Sequence, residues 1–229
     1  MAKISEPRNI LLDIDDTLFP STEFSSLARR NALNAMISMG LDSDIETLHS
    51  RLEAIISKHG SNYQNHFDDL CNELGVRRPG RYIAAAVAAY HDTKTAIQPF
   101  PKAPLALMRL KQDGHRLYVA TNGNSIKQWD KLIRLRLALF FDDVFVSEEL
   151  GVQKGDAFYR KVLKALGSKP QGCVMVGDRE DLDIIPAKSV GMKTVRLISG
   201  RYAKGSTVAD CTIKDIGDLP TAIRKLKPL

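Results

Sequence analysis

The chain has 229 residues, 44% hydrophobic and 26% charged, an ordinary globular mix that can bury a real core as one large domain or as a domain carrying an insertion. Its net charge of +6 and pI of about 9.2 suit anionic ligands such as small phosphates. No run of five basic residues occurs, and Lys and Arg are interleaved with Asp and Glu, which argues against nucleic acid.

The first strand is predicted at Ile10–Leu12, an apolar run that ends abruptly in Asp13, Asp15 and Asp16. In extended backbone Asp13 and Asp15 project together, and their repulsion needs a cation or a shared proton. Phe19-Pro20-Ser21-Thr22 reads as a turn with N-cap residues. Helices follow over Glu23–Met39, from a cap at Asp42 or Ser43 to Gly60, over Tyr63–Leu74, and from Pro79-Gly80 through Tyr90. Pro99, Pro101 and Pro104 mark the return, with a short helix at Leu105–Lys111 and a strand at His115–Ala120. Thr121-Asn122-Gly123-Asn124 comes next, and Ser125 opens a helix expected to reach Leu139. Strands are expected at Asp143–Ser147, Cys173–Val176, Lys193–Leu197 and Cys211–Lys214, with helices at Ala157–Leu166, Ile184–Val190 and Leu219–Lys225. There are no internal repeats and no low-complexity segments.

Strand and helix alternate from residue 100 onward, the pattern of a parallel sheet covered on both faces. Roughly 100 residues separate Asp13 from Tyr118, far more than the dozen or so that a crossover requires. The helix near Leu107 supplies that crossover, so the helical block is an insertion. The domains expected are residues 1–18 with 99–229 as an α/β core and 19–98 as an all-α cap. Ligands of open α/β sheets bind at the carboxyl ends of strands, where a block inserted after Asp15 can act as a lid.

The three cysteines, Cys71, Cys173 and Cys211, are far apart and support neither a disulfide framework nor a zinc cluster; a reducing cytoplasm is the expected setting. Met1–Asn9 is polar without an apolar signal core, and no apolar run reaches the length of a membrane span. His49, His59, His66, His91 and His115 read as surface or cap residues, and Trp129 and Phe140-Phe141 as packing.

Three strands end in polar groups of one theme: Asp13 and Asp15, then Thr121-Asn122-Gly123, then Asp178 with Asp181 and Asp183 beyond. Convergent carboxylates call for a hard divalent cation, and Mg²⁺ takes a few carboxylates plus water and a phosphate oxygen. Thr121 and the amides of Asn122 and Gly123 precede a helix, a natural phosphate cradle. Lys154, in a loop before a helix, can supply positive charge to phosphoryl oxygens.

The order Asp-x-Asp-Asp-Thr, Thr-Asn-Gly, Lys, then Gly-Asp followed by Asp183 resembles the haloacid dehalogenase-like (HAD) superfamily. The resemblance covers the sheet domain nearly end to end, and the insertion resembles a helical C1 cap. The stretch LARRNALNAM is similar to archaeal and bacterial members labelled as phosphatases. The resemblance implies a Rossmann-like core and a Mg²⁺-dependent phosphatase for a small phosphorylated metabolite: a sugar phosphate, triose phosphate, phosphoglycolate or nucleotide. It implies Asp13 as nucleophile and Asp15 as general acid–base. Thr121, Lys154 and the Asn122-Gly123 loop would hold the phosphoryl group. The metal ligands implied are Asp13, the backbone carbonyl of Asp15, and Asp178, with Asp183 as ligand or support. A cytoplasmic monomer or homodimer with neither nucleic-acid nor membrane partner is expected. Many relatives have Pro where Gly155 stands, and Ser or Thr where Arg179 stands. A phosphomutase, a metal-independent 2-haloacid dehalogenase and a non-catalytic binding protein on the same scaffold are the alternatives.

Overall fold

The computed structural model describes residues 8–61 and 63–226; the polar segment read above as lacking a signal core lies outside them through residue 7. In chain order the elements are β1 (Asn9–Leu12), α1 (Ser21–Ser38), α2 (Ile45–His59), α3 (His66–Glu73), α4 (Gly80–Thr95), α5 (Ala103–Gln112), β2 (Arg116–Thr121), α6 (Ser125–Arg134), β3 (Asp143–Val146), α7 (Ser147–Leu150), α8 (Asp156–Leu166), β4 (Cys173–Gly177), α9 (Ile185–Ser189), β5 (Lys193–Leu197), β6 (Cys211–Ile213) and α10 (Leu219–Lys225). No described helix is long and apolar enough to cross a membrane.

The chain divides into two compact units, one from Met1–Thr22 with Ile97–Leu229 and one over Glu23–Ala96. The first holds a six-stranded sheet in the order β3-β2-β1-β4-β5-β6. All of its strand pairs are parallel. β1 sits between β2 and β4, which explains its unbroken apolar run: Ile10, Leu11 and Leu12 are fully buried. Burial of each stabilises by about 1.5–3 kcal/mol.

On one face, Leu11, Tyr118, Phe145 and Met175 from four strands form one cluster with Phe158 and Val162 of α8. α8 presents Phe158, Tyr159, Val162 and Leu163 at helical spacing and ends at Gly167, whose φ of 56° takes the left-handed turn. Truncating Phe158 to Ala would cost about 3–5 kcal/mol. The second unit packs α1 to α4 around its own core, with Leu33 and Met36, Leu48 and Leu52, Leu70 and Cys71, and Tyr82 and Ala86 buried together.

Several boundaries differ from the sequence expectation for local reasons. Asp44, rather than Asp42 or Ser43, caps α2, because its backbone is extended and its carboxylate accepts from Thr47 N–H. Asn124, rather than Ser125, caps α6 by accepting from Lys127 N–H at 3.2 Å. α6 stops at Arg134, short of Leu139, because Arg136 turns left-handed at φ 57° and Leu137 N–H returns to the Leu132 carbonyl. A single π-helical turn over Glu180–Ile184 leads into α9.

Candidate active site

Parallel pairing in register sets the carboxyl ends of β1, β2 and β4 side by side. Asp13 follows β1 and continues the ladder, its N–H donating to the Val176 carbonyl at 2.9 Å. Lys154, in the loop before α8, donates from Nζ to Asp13 Oδ1 at 2.8 Å and to Asp183 Oδ1 at 2.6 Å. Its own backbone N–H donates to Asn122 Oδ1 at 2.7 Å, so the loop after β2 also fixes where the lysine stands. Asp183, fully buried, uses its other oxygen to accept from Arg179 N–H at 3.1 Å. Gly177 makes room for it: a Cβ there would lie 2.2 Å from Asp183 Oδ2. Thr121, at the end of β2, is buried.

Asp13, Asp178 and Asp183 each offer a carboxylate oxygen within 4.8 Å of the others, and all three are buried. Three such acids around one lysine are short of positive charge. Burial, then the neighbouring carboxylates Asp13 and Asp183, push Asp178 up to about 8. Burial raises Asp13 to about 6 against the pull of Lys154, with Asp183 and Asp15 adding repulsion. Burial opposes the charge on Lys154, yet Asp13 and Asp183 outweigh it and hold the lysine cationic. An all-oxygen donor set with excess negative charge fits a hard divalent cation.

Asp15 departs from the expected geometry. The chain leaves the extended conformation after β1 and makes a helical turn, with Leu18 N–H donating to the Ile14 carbonyl at 2.9 Å. The Asp15 carboxylate is therefore outside the three-acid cluster and accepts from Lys131 Nζ at 2.7 and 2.6 Å. The Gly123 amide, expected in the phosphate cradle, donates to Ser147 Oγ at 2.9 Å. Asp16 accepts from Thr22 N–H at 3.0 Å and ties down the start of α1. Asp181 pairs with Arg179, whose guanidinium also stacks 4.1 Å over the Tyr202 ring.

Two placements at the strand ends escaped sequence reasoning. Lys131 was invisible because its partner lies far back in the chain, although it follows the buried Gln128 by three residues on α6. Arg196 on β5 is buried and donates to the carbonyls of Asp178 and Tyr202 and to Glu180, binding the π turn to the segment after β5. His115 corrects an expectation: it is buried in the core rather than at the surface, with Nδ1 accepting from Arg8 N–H at 3.1 Å.

A family model described as haloacid dehalogenase-like hydrolase matches residues 7–191. The chain belongs to this family. Among its relatives, the glyceraldehyde 3-phosphate phosphatase of Methanocaldococcus jannaschii is 43% identical over 96% of this chain and 98% of that protein. The glyceraldehyde 3-phosphate phosphatase of Methanopyrus kandleri is 44% identical over 84% of each chain. Among solved structures, a magnesium-bound putative HAD-hydrolase from Bacillus subtilis superposes with a TM-score of 0.70 at 21% identity, over 97% of this chain and 100% of that one. That likeness bears on the family's fold, which this chain shares.

Proposed function

We propose that the chain is a Mg²⁺-dependent phosphomonoesterase for a small phosphorylated metabolite, with glyceraldehyde 3-phosphate as its first candidate substrate. The observation that carries the reading is the buried Asp13–Lys154–Asp183 chain of charge-assisted hydrogen bonds beside Asp178 at the strand ends. The near full-length identity to glyceraldehyde 3-phosphate phosphatases supports the substrate.

Asp13 is the nucleophile. Lys154 holds Oδ1, which orients the carboxylate for attack on phosphorus. The bond from phosphorus to the leaving oxygen breaks as the aspartyl-phosphate forms, and Asp15 gives that oxygen a proton. Water then attacks the phosphorus, Asp15 takes its proton, and inorganic phosphate leaves the regenerated Asp13 carboxylate. Lys154, Thr121 and the Asn122 amide hold the phosphoryl oxygens, while Gly123 N–H stays on Ser147 and fixes the loop. Asp13, the backbone carbonyl of Asp15, and Asp178 would hold Mg²⁺, with Asp183 bracing Lys154. Bound there, the ion supplies charge neutralisation for the crowded carboxylates and the phosphoryl oxygens.

The helical insertion sets substrate choice. Arg77, Arg78 and Arg81 line an open hollow in that unit. Arg29 and Arg30 are instead paired with Glu53 and Glu46. Phosphate release is to be measured over triose phosphates, sugar phosphates, phosphoglycolate and nucleotides, with a 2-haloacid as control. The expected result is highest catalytic efficiency on glyceraldehyde 3-phosphate; halide release without phosphatase activity would sink the reading. Alanine variants at Arg77, Arg78 and Arg81 should reorder the substrates while leaving p-nitrophenyl phosphate comparatively untouched.

A further inference from the structure

We propose that Lys131 is the positioning residue for Asp15, an inference that rests on the reading of Asp15 as general acid–base. Lys131 Nζ donates to both carboxylate oxygens, at 2.7 and 2.6 Å, and is the only hydrogen-bond partner of that carboxylate among the described residues. Asp15 sits on a turn after β1, and its side chain is 39% exposed, so the two hydrogen bonds from Lys131 fix the direction of a carboxylate that stands open to solvent. A general acid has to be aimed at one leaving oxygen, and an unrestrained carboxyl samples several directions.

Lys131 is itself well anchored. α6 buries Leu132 and caps its start with Asn124. The Ser125 N–H donates to Glu148 at 2.8 Å, and Gln128 Nε2 donates to the Asn122 carbonyl at 3.0 Å. The helix that braces the phosphate loop through Gln128 thus aims the acid–base through Lys131, three residues on. The Phe19 ring, 5.9 Å from Nζ, flanks the ammonium. Proton transfer from Asp15 requires one of these two hydrogen bonds to give way, and the bond that remains keeps the carboxyl aimed.

The test compares wild type with Lys131→Met, Lys131→Arg and Asp15→Asn, each checked for native circular dichroism. Steady-state turnover is measured on an alkyl phosphate, whose leaving oxygen needs a proton. Rapid-quench bursts are measured on p-nitrophenyl phosphate, whose leaving group does not. Lys131→Met is expected to lose about 10²-fold in kcat on the alkyl ester, the usual cost of a misplaced group. Its KM should stay near wild type and its burst within a few-fold, with Lys131→Arg recovering much of the loss. Unchanged kcat, a loss confined to KM, or equal loss in burst and turnover would overturn the assignment. If Lys131→Met fails to fold, Lys131→Arg and Lys131→Gln carry the same comparison. Wild-type turnover in folded Asp15→Asn would instead overturn the acid–base reading itself.

Discussion

Replacing Gly177 by Ala tests how tightly the site is built. The added Cβ would meet Asp183 Oδ2, Cγ and Cβ at 2.2, 2.4 and 2.7 Å, so the whole Asp183 side chain has to retreat. Ordinary carbon contacts lie at about 3.5–4.0 Å, so the retreat is on the order of 1 Å. Such a shift takes the 2.6 Å contact with Lys154 to the edge of hydrogen-bonding range or beyond. Lys154 is then left buried with Asp13 as its one remaining anion. Breaking a buried pair costs about 3–5 kcal/mol. The lower entropy of the unfolded chain returns about 0.4–1 kcal/mol for Gly→Ala. The net loss is about 2–4.6 kcal/mol, a drop in Tm of about 4–18 °C for a chain of this size. Displacement of Lys154 should also lower kcat by about 10²-fold. Gly172→Ala is the control: its Cβ would meet nothing closer than Ser168 Oγ at 3.5 Å, ordinary contact. Thermal denaturation and steady-state kinetics of both variants decide the matter. A Gly177→Ala protein with wild-type Tm and kcat, or a Gly172→Ala protein equally damaged, would refute the reasoning.

Asp13→Asn is expected to fold normally and lose turnover on every phosphomonoester, because an amide oxygen is a poor nucleophile; normal turnover in that variant would remove Asp13 from the role. Chelation with EDTA should abolish activity and added Mg²⁺ restore it, since Asp13, Asp178 and Asp183 crowd together in a buried site; full activity in EDTA would contradict this. Burial lowers the pKa of His115 from its ordinary 6.5, so the folded protein keeps the ring neutral where the unfolded chain takes up a proton. The resulting stability is fully present above pH 6.5 and is lost as pH falls through the folded pKa. Urea unfolding from pH 5 to 7.5 should show wild type losing stability more steeply on acidification than His115→Asn, by at most about 1.4 kcal/mol per pH unit. Identical pH slopes would count against it, and the difference between the two proteins cancels what the active-site carboxylates contribute.

What the sequence determined by itself was written in short range. The apolar run Ile10–Leu12 ends in Asp13, and Cys173–Val176 ends in Gly177-Asp178, so burial followed by carboxylate was legible as a strand opening into a site. The all-helical stretch over Glu23–Ala96 was legible from 3.6-residue periodicity, and β5 and α10 fall where the pattern placed them. The tertiary structure decided everything that depends on which chain-distant groups meet. Lys131 reaches Asp15 across 116 positions, and Lys154 reaches Asp13 across 141, because parallel register sets the ends of β1 and β2 together. In sequence Gly177 is only the residue at which a buried strand gives way to Asp178; the π turn folding Asp183 back over it shows why no side chain fits. His115 is a polar residue that the pattern places at the surface, yet it is buried just before β2, with its Nδ1 taken by Arg8 N–H. Periodicity reports which face of an element is apolar, whereas hydrogen bonds and close contacts between elements depend on packing in three dimensions, which no local window contains.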